Sequence, residues 1–394
     1  MKVTQLLGSL AALLLCLACG DNRIEEGSIK RSGQADVVSL DDDWRFIRYG
    51  LQADGTRVDE PAGMFEPATD DSDWETLDVP HDFAIKGPFR MDLAGNTGRL
   101  PFQGIGWYRK TFTVDEADQG KRFYVDFDGV MANAQVWLNG EYVGTWPYGY
   151  NSFRLDLTPF IQVGKENLLA VRTDTEKWDS RWYPGAGIYR HVWLVKTGQV
   201  HVRHWGTKIE AANLTDKTAD LHLTVEVENH LNEDAKAVVK TSVYELDSLD
   251  CLGKRVLRFD DQTLPLKAMS AGEINLQKRM DDCKRWDIES PNRYMACVTV
   301  QVDGQETDRY YTPFGVREIS VSREGFFLNG RRVEIKGVCN HHDLGALGAA
   351  FNRSALERQF RIMREMGCNS IRTSHNPPAP ELLDLADKTG MLIM

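Results

Sequence analysis

Arg332-Val-Glu-Ile-Lys-Gly-Val338, Ser354-Ala-Leu-Glu357, Asn369-Ser-Ile-Arg372, the stretch Pro378 to Thr389, and Met391-Leu-Ile-Met394 follow one another at the C-terminal end of the sequence, and their order decides the fold. The first, third and fifth read as short apolar strands. Ser354 and Glu357 stand three apart before an apolar-periodic run. This reads as a capping box, in which a hydroxyl and a carboxylate each take an orphan amide of a helix's first turn. Leu356, Phe360 and Met363 then recur on one helical face, and Gly367 stands where that helix should stop. A second helix is expected from Pro378 to Thr389, with Leu382, Leu385 and Ala386 on one face and Gly390 after it. The grammar is therefore β-α-β-α-β, which implies parallel strands, because parallel neighbours need a crossover rather than a tight turn. A closed eight-fold barrel takes about 250 residues, and only about 80 follow Phe314. The segment is expected to be the start of an incomplete (β/α)8 barrel, since a buried-type strand left without a neighbour invites aggregation.

Upstream, the apolar period is two. Tyr108-Arg-Lys-Thr-Phe-Thr-Val114 and Arg122-Phe-Tyr-Val-Asp-Phe-Asp128 alternate, and Ala134 to Leu138 meets Glu141 to Trp146 across Asn139-Gly140. Asn-Gly between alternating runs is a strong hairpin signal, because both turn residues must take φ > 0. Asn167–Arg172 and Arg190–Val195 complete a first sandwich over 39–198, jelly-roll-like in class. Leu221–Val227, Ala237–Tyr244 and Tyr294–Val302 lie in a second, immunoglobulin-like sandwich over 199–312, and 313–394 open the barrel.

The N-terminus carries Lys2, an apolar run from Leu6 to Leu17, and then Leu17-Ala18-Cys19-Gly20. The run is too short for a good membrane span and reads as a bacterial lipoprotein signal over 1–19, with lipid on Cys19. Cys16 stands where such signals usually carry Leu, and an ordinary signal peptide is the alternative. Residues 20–38 are polar and read as a flexible tether. The expected location is the bacterial cell envelope, with the lipid as the sole membrane contact. A net charge of −11 excludes a nucleic-acid partner, which would need a basic footprint. Cys251, Cys283, Cys297, Cys339 and Cys368 form no C-x-x-C pair, so no zinc motif is visible. Cys283 with Cys297 is the one disulfide considered.

Two polar clusters follow strands: Asn340-His341-His342-Asp343, and Arg372-Thr-Ser-His375-Asn376-Pro-Pro378. In a parallel barrel both lie at the C-terminal face, where sites are built. Their side chains offer directional donors and acceptors suited to a polyhydroxylated ligand. The bland alternative is that these are loop residues satisfying nearby backbone; metal ligation by His341, His342 and Asp343 is a weaker one. No nucleophile–base pair, phosphate loop or dinucleotide turn is present in the sequence, and no cofactor is required by it.

Val79-Pro-His-Asp-Phe83, Gly106-Trp-Tyr-Arg-Lys-Thr-Phe112, Val136-Trp-Leu-Asn-Gly140, Arg181-Trp-Tyr-Pro-Gly-Ala-Gly-Ile-Tyr-Arg190, Phe314-Gly-Val-Arg317, Gly325-Phe-Phe-Leu-Asn-Gly330, Gly337-Val-Cys-Asn-His-His-Asp343 and Met366 to Pro377 together resemble glycoside hydrolase family 2, over nearly the whole chain. The resemblance implies the order sugar-binding-like sandwich, immunoglobulin-like sandwich, barrel. It implies that His341 and His375 bind hydroxyls of the sugar being cleaved, with Arg372 and Asn376 beside them, and that Asp174 is sent in from the first sandwich. A turn role is the alternative for Asp174. It further implies retaining hydrolysis by two glutamates, from the fourth and seventh barrel strands. Both are expected beyond Met394, which would leave this fragment inactive by itself. Ser374 to Pro377 and Pro80-His81-Asp82 resemble the β-galactosidase branch, so the expected partner is an oligo- or polysaccharide ending in a β-galactoside. The alternatives are a β-glucuronidase and a non-catalytic carbohydrate-binding lipoprotein using Trp146, Tyr148, Trp178 and Trp182 as stacking platforms.

Overall fold

The structure is a computed structural model that describes residues 31–394; the signal, Cys19 and the first part of the expected tether lie outside the described residues. Two β-sandwiches precede a parallel α/β segment. In the first, a four-stranded sheet (Phe153–Asp156, Arg122–Phe127, Val192–Thr197, Val37–Ser39) faces a seven-stranded one centred on Ile105–Thr113 and Glu166–Asp174. Between them lies a core of Trp44, Phe46, Tyr108, Phe123, Phe127 and Leu169, each nearly or wholly excluded from solvent. The hairpin at Asn139-Gly140 forms as expected, with φ of 55° and 87°, both in the region the turn demands.

The second sandwich packs a three-stranded sheet (Val200–Ala212, Ala219–Asn229, Ser270–Met280) on a six-stranded one. Ala219–Asn229 alternates without a break: every second residue is buried, so Leu221, Leu223, Val225 and Val227 face the core. The tether expectation fails from Arg31 onward. Gly33–Gln34 pairs with Gln305–Phe314 of the second sandwich, and Val37–Ser39 pairs with Val192–Thr197 of the first. Gln34 is buried, its side-chain Nε2 donating to the Val202 carbonyl at 2.8 Å, and Arg31 pairs with Asp126 and Asp128, both at 2.8 Å. Composition there looked polar because the side chains form ion pairs and hydrogen bonds.

The run Arg332–Val338 is divided. Arg331–Val333 closes a small antiparallel sheet with Gly325–Leu328 and Ile319–Ser322, while Gly337–Asn340 starts the parallel sheet with Ser370–Thr373 and Leu392–Ile393. The crossovers are helix α1 (Arg353–Glu365) and helix α2 (Pro380–Thr389), whose Leu356, Phe360, Met363, Leu382, Leu385 and Ala386 pack over Ile371. The capping box is corrected. Asn352 is the N-cap, its Oδ1 accepting the Ala355 amide at 2.9 Å, and Ser354 lies inside the first turn. Helix α1 ends as its glycine predicts. Gly367 sits at φ 85°, the Cys368 amide bonds Met363 O and the Gly367 amide bonds Arg364 O, both at 2.9 Å, a Schellman closure. No disulfide joins Cys283 to Cys297.

Candidate active site at the sandwich–barrel mouth

In the parallel sheet Asn340 lies opposite Thr373, so the two strands end level with one another. His341 and His375 therefore emerge at one mouth, their rings edge to face with centroids 6.0 Å apart. Trp182, from the first sandwich, completes the group: its ring lies 5.5 Å from that of His341 and 5.6 Å from that of His375. The indole is fixed by its Nε1–H, which donates to the Tyr150 hydroxyl at 3.0 Å. Arg372 Nη1 donates to His375 Nδ1 at 3.0 Å and reaches Ser374 Oγ at 3.4 Å. A guanidinium has no acceptor, so Nδ1 must be the accepting nitrogen and Nε2 carries the ring hydrogen. His375 is thereby set as a hydrogen-bond donor. His341 Nδ1 is shielded from solvent and has no partner, a group that calls for a ligand or water. Asn376 is buried, and its Oδ1 takes the His375 amide at 3.1 Å, so it shapes the loop.

The loops are held by the first sandwich. Arg190, almost wholly buried, donates to the carbonyls of Asp128 and Tyr150 on its own side and to Pro377 and Pro378 on the barrel side, at 3.0–3.2 Å. Asp82 accepts from the amides of Ala84 and Ala186 at 3.0 Å, from the Tyr183 hydroxyl at 2.6 Å, and from the Ala349 amide of the first barrel loop at 2.8 Å. Burial pushes the Asp82 carboxyl up, against the pull of these four donors. Gly185 and Gly348 let the chains approach here: at Gly185 a Cβ would fall 2.3 Å from the Ala349 Cβ, and at Gly348 one would fall 2.4 Å from Asp82. His342, next to His341, turns to this seam. Its Nε2 meets the Pro184 carbonyl at 3.0 Å, and its ring packs edge-on against Tyr150 and Tyr189. Burial lowers its pKa to about 4, so it is neutral at physiological pH.

Of the residues picked out by sequence, His341, Arg372 and His375 meet at the mouth and Asn376 supports them. Asp174 ends a sandwich strand, with its carboxylate on Arg172 at 3.1 Å and on the Glu176 amide at 3.0 Å. Among the four aromatic platforms considered, Trp182 reaches the cluster. Trp146 stacks on Phe153 at 5.5 Å and 11°, Trp178 packs on the sandwich core, and Tyr148 meets Tyr150 edge-on. Asp82 and Arg190 were missed as positioning residues, although both stand inside quoted stretches. What gives them away is a charged residue within an otherwise apolar or glycine-rich run.

Three models of glycosyl hydrolases family 2 match consecutive parts of the chain: the sugar binding domain over residues 37–198, a second family 2 model over 200–317, and the TIM barrel domain over 319–394. The chain belongs to this family. Its similarity to the β-galactosidase BoGH2A of Bacteroides ovatus is 44% identity over 360 residues, covering 89% of this chain and 40% of that protein. A putative β-glucuronidase of Formosa agariphila is 36% identical over 329 residues, covering 82% of this chain and 30% of the relative. Among solved structures, a family 2 member from Bacteroides cellulosilyticus superposes with a TM-score of 0.83 at 34% identity, covering 91% of this chain and 45% of the other. A β-glycosidase from Bacteroides vulgatus gives 0.81 at 32%, covering 91% and 44%. The chain thus spans less than half the length of these family 2 relatives.

Proposed function

We propose that this chain supplies the two sandwiches and the first strand ends of a retaining β-galactosidase, forming part of the subsite that holds the sugar being cleaved. The observation that carries the reading is the mouth itself. His375 is fixed by Arg372 as a donor, His341 has an unpartnered nitrogen, and Trp182 closes the group with an aromatic ring. Directional donors and acceptors match hydroxyls, and the indole offers an apolar surface to a pyranose. The 44% identical relative named a β-galactosidase supports the galactoside over other glycosides.

Retention needs two carboxyl groups about 5–5.5 Å apart across the glycosidic bond. Among the described residues, the hydrogen-bonding side chains on this cluster are Arg372, Ser374, Asn376 and Tyr150, and none is a carboxylate. The 394-residue chain by itself is therefore expected to bind glycoside without cleaving it. The export reading belongs to the same proposal: Lys2, the apolar run to Leu17 and Cys19 support a lipid-anchored protein of the bacterial envelope.

The test is to assay the encoded full-length protein on an aryl β-galactoside and the matching β-glucuronide. Turnover of the galactoside at much the higher kcat/KM is expected. Preference for the glucuronide would replace this reading with the second one, which the 36% identical relative favours. Glycan binding without hydrolysis of either would make the protein a carbohydrate-binding module.

A further inference from the structure

At the seam of the two sandwiches a second constellation forms. His201 lies directly opposite Glu228 in the antiparallel pair Val200–Ala212 and Ala219–Asn229. His230 follows two residues after Glu228, and its amide bonds the Gln199 carbonyl at 2.9 Å, which carries the pairing past the strand end. The strand period of two then sets Glu228 and His230 on one face, with His201 across from them. We propose that His201, Glu228 and His230 form a binding site for a divalent d-block cation, Zn²⁺ being the natural probe.

The distances suit it. One ligand atom from each residue lies within 4.8 Å of the others; His230 Nε2 is 3.2 Å and His201 Nε2 3.8 Å from the same Glu228 oxygen, Oε2. Tetrahedral zinc with bonds of about 2.0–2.2 Å holds its ligand atoms about 3.3 Å apart, so small side-chain rotations close the set. The tautomer is already chosen. His201 Nδ1–H donates to the Gly198 carbonyl at 3.0 Å, which leaves the Nε2 lone pair facing Glu228. A backbone carbonyl on the far ring nitrogen is the usual support of a metal-bound imidazole. His201 is 1% exposed, so its ring is held in place by its surroundings. Its Nε2 lone pair is met by the Tyr124 hydroxyl of the first sandwich, 3.3 Å away, whose O–H a bound ion would displace. Arg203 is the one cation in contact with the cluster among the described residues. It is largely exposed and lies nearer Glu226, at 2.9 Å, than Glu228, at 3.4 Å. Two histidines and one carboxylate leave a fourth position for water. Tyr124 and the Gly198 carbonyl flank the site from the side of the first sandwich, while all three ligands come from the second.

The experiment uses the encoded protein without a polyhistidine tag, stripped with chelator, equilibrated with Zn²⁺ and freed of loose metal by gel filtration. Metal analysis should find one more equivalent in wild type than in Glu228→Gln or His230→Gln, two partly exposed positions whose variants keep the native circular dichroism. Co²⁺ should give the visible absorption of a tetrahedral site in wild type and lose it in both variants. Zn²⁺ should raise Tm in wild type alone, because a ligand that binds only the native state stabilises it. Equal metal content in wild type and variants, or a cobalt spectrum indifferent to the substitutions, would overturn the proposal and leave the cluster as a hydrogen-bonded clasp.

Discussion

At the seam between the first sandwich and the barrel, Asp82 accepts four hydrogen bonds and Arg190 donates four, all within the protein. At the mouth, two residues can leave polar capacity unused: His341 has a shielded nitrogen without a partner, and His375 has one ring nitrogen taken by Arg372 and the other free to donate. His341 and His342 both keep a shielded Nδ1 without a partner, so what separates the neighbours is where the rest of the ring goes: His342 Nε2 meets the Pro184 carbonyl and its ring packs on Tyr150 and Tyr189 in the seam, while His341 lies against Trp182 and His375 at the mouth. A polar group bonded across the seam holds the two parts together; one turned to the mouth is available to a ligand.

That contrast can be broken from the seam side first. Arg190→Met takes a donor from four carbonyls, of which Asp128's keeps the Ser152 hydroxyl at 3.2 Å, and removes a buried cation. It should cost about 3–5 kcal/mol, seen as a fall in the denaturant midpoint with the slope unchanged. Asp82→Asn should cost about 2–4 kcal/mol, because a carboxamide has one oxygen and would turn its NH₂ toward donors that now meet a carboxylate.

Substitutions at the mouth should leave the fold alone. On the proposed reading, His375→Ala and His341→Ala would each remove one hydrogen bond to the sugar. Each should lower galactoside kcat/KM of the full-length protein by about 10- to 100-fold, while stability changes by no more than about 0.5 kcal/mol.

The account also predicts a dependence on pH. Burial lowers the pKa of both His342 and His81 to about 4, from an ordinary value of about 6.5. Below 6.5 the unfolded chain takes up protons that the native state refuses, so their contribution is present above that pH and is lost as pH falls toward 4. The slope is at most about 1.4 kcal/mol per pH unit for each histidine, less for their partial exposure. Urea unfolding at pH 7.5, 6 and 5 measures it, and a flat profile would show that neither ring is confined.

Much of this was legible in sequence, because strand alternation, the Asn-Gly turn and the helix stop at Gly367 are local signals with local causes. The mouth histidines were legible for a similar reason: each follows a strand by one or two residues. The seam was not, since the partners of Arg190 lie up to 188 residues away in the chain. The N-terminal strands were hidden likewise. Gln34 reads as solvated until its partner Val202, 168 residues distant, is brought to it. The pair of histidines about Glu228 escaped because His201 and His230 belong to different strands, and only their register aligns them. Ser354 outscored Asn352 as a cap because the capping box rewards a spacing, whereas the chain used the residue whose backbone was already extended, with φ −142° and ψ 116°.

The most direct test compares two adjacent residues in the full-length protein. Tm and galactoside kcat/KM would be measured for His341→Ala and His342→Ala, with kinetics taken well below either transition. The account predicts that His341→Ala loses turnover at unchanged Tm and that His342→Ala loses Tm while keeping turnover. A His341 variant with full activity, or a His342 variant that is stable yet inactive, would contradict the division between mouth and seam.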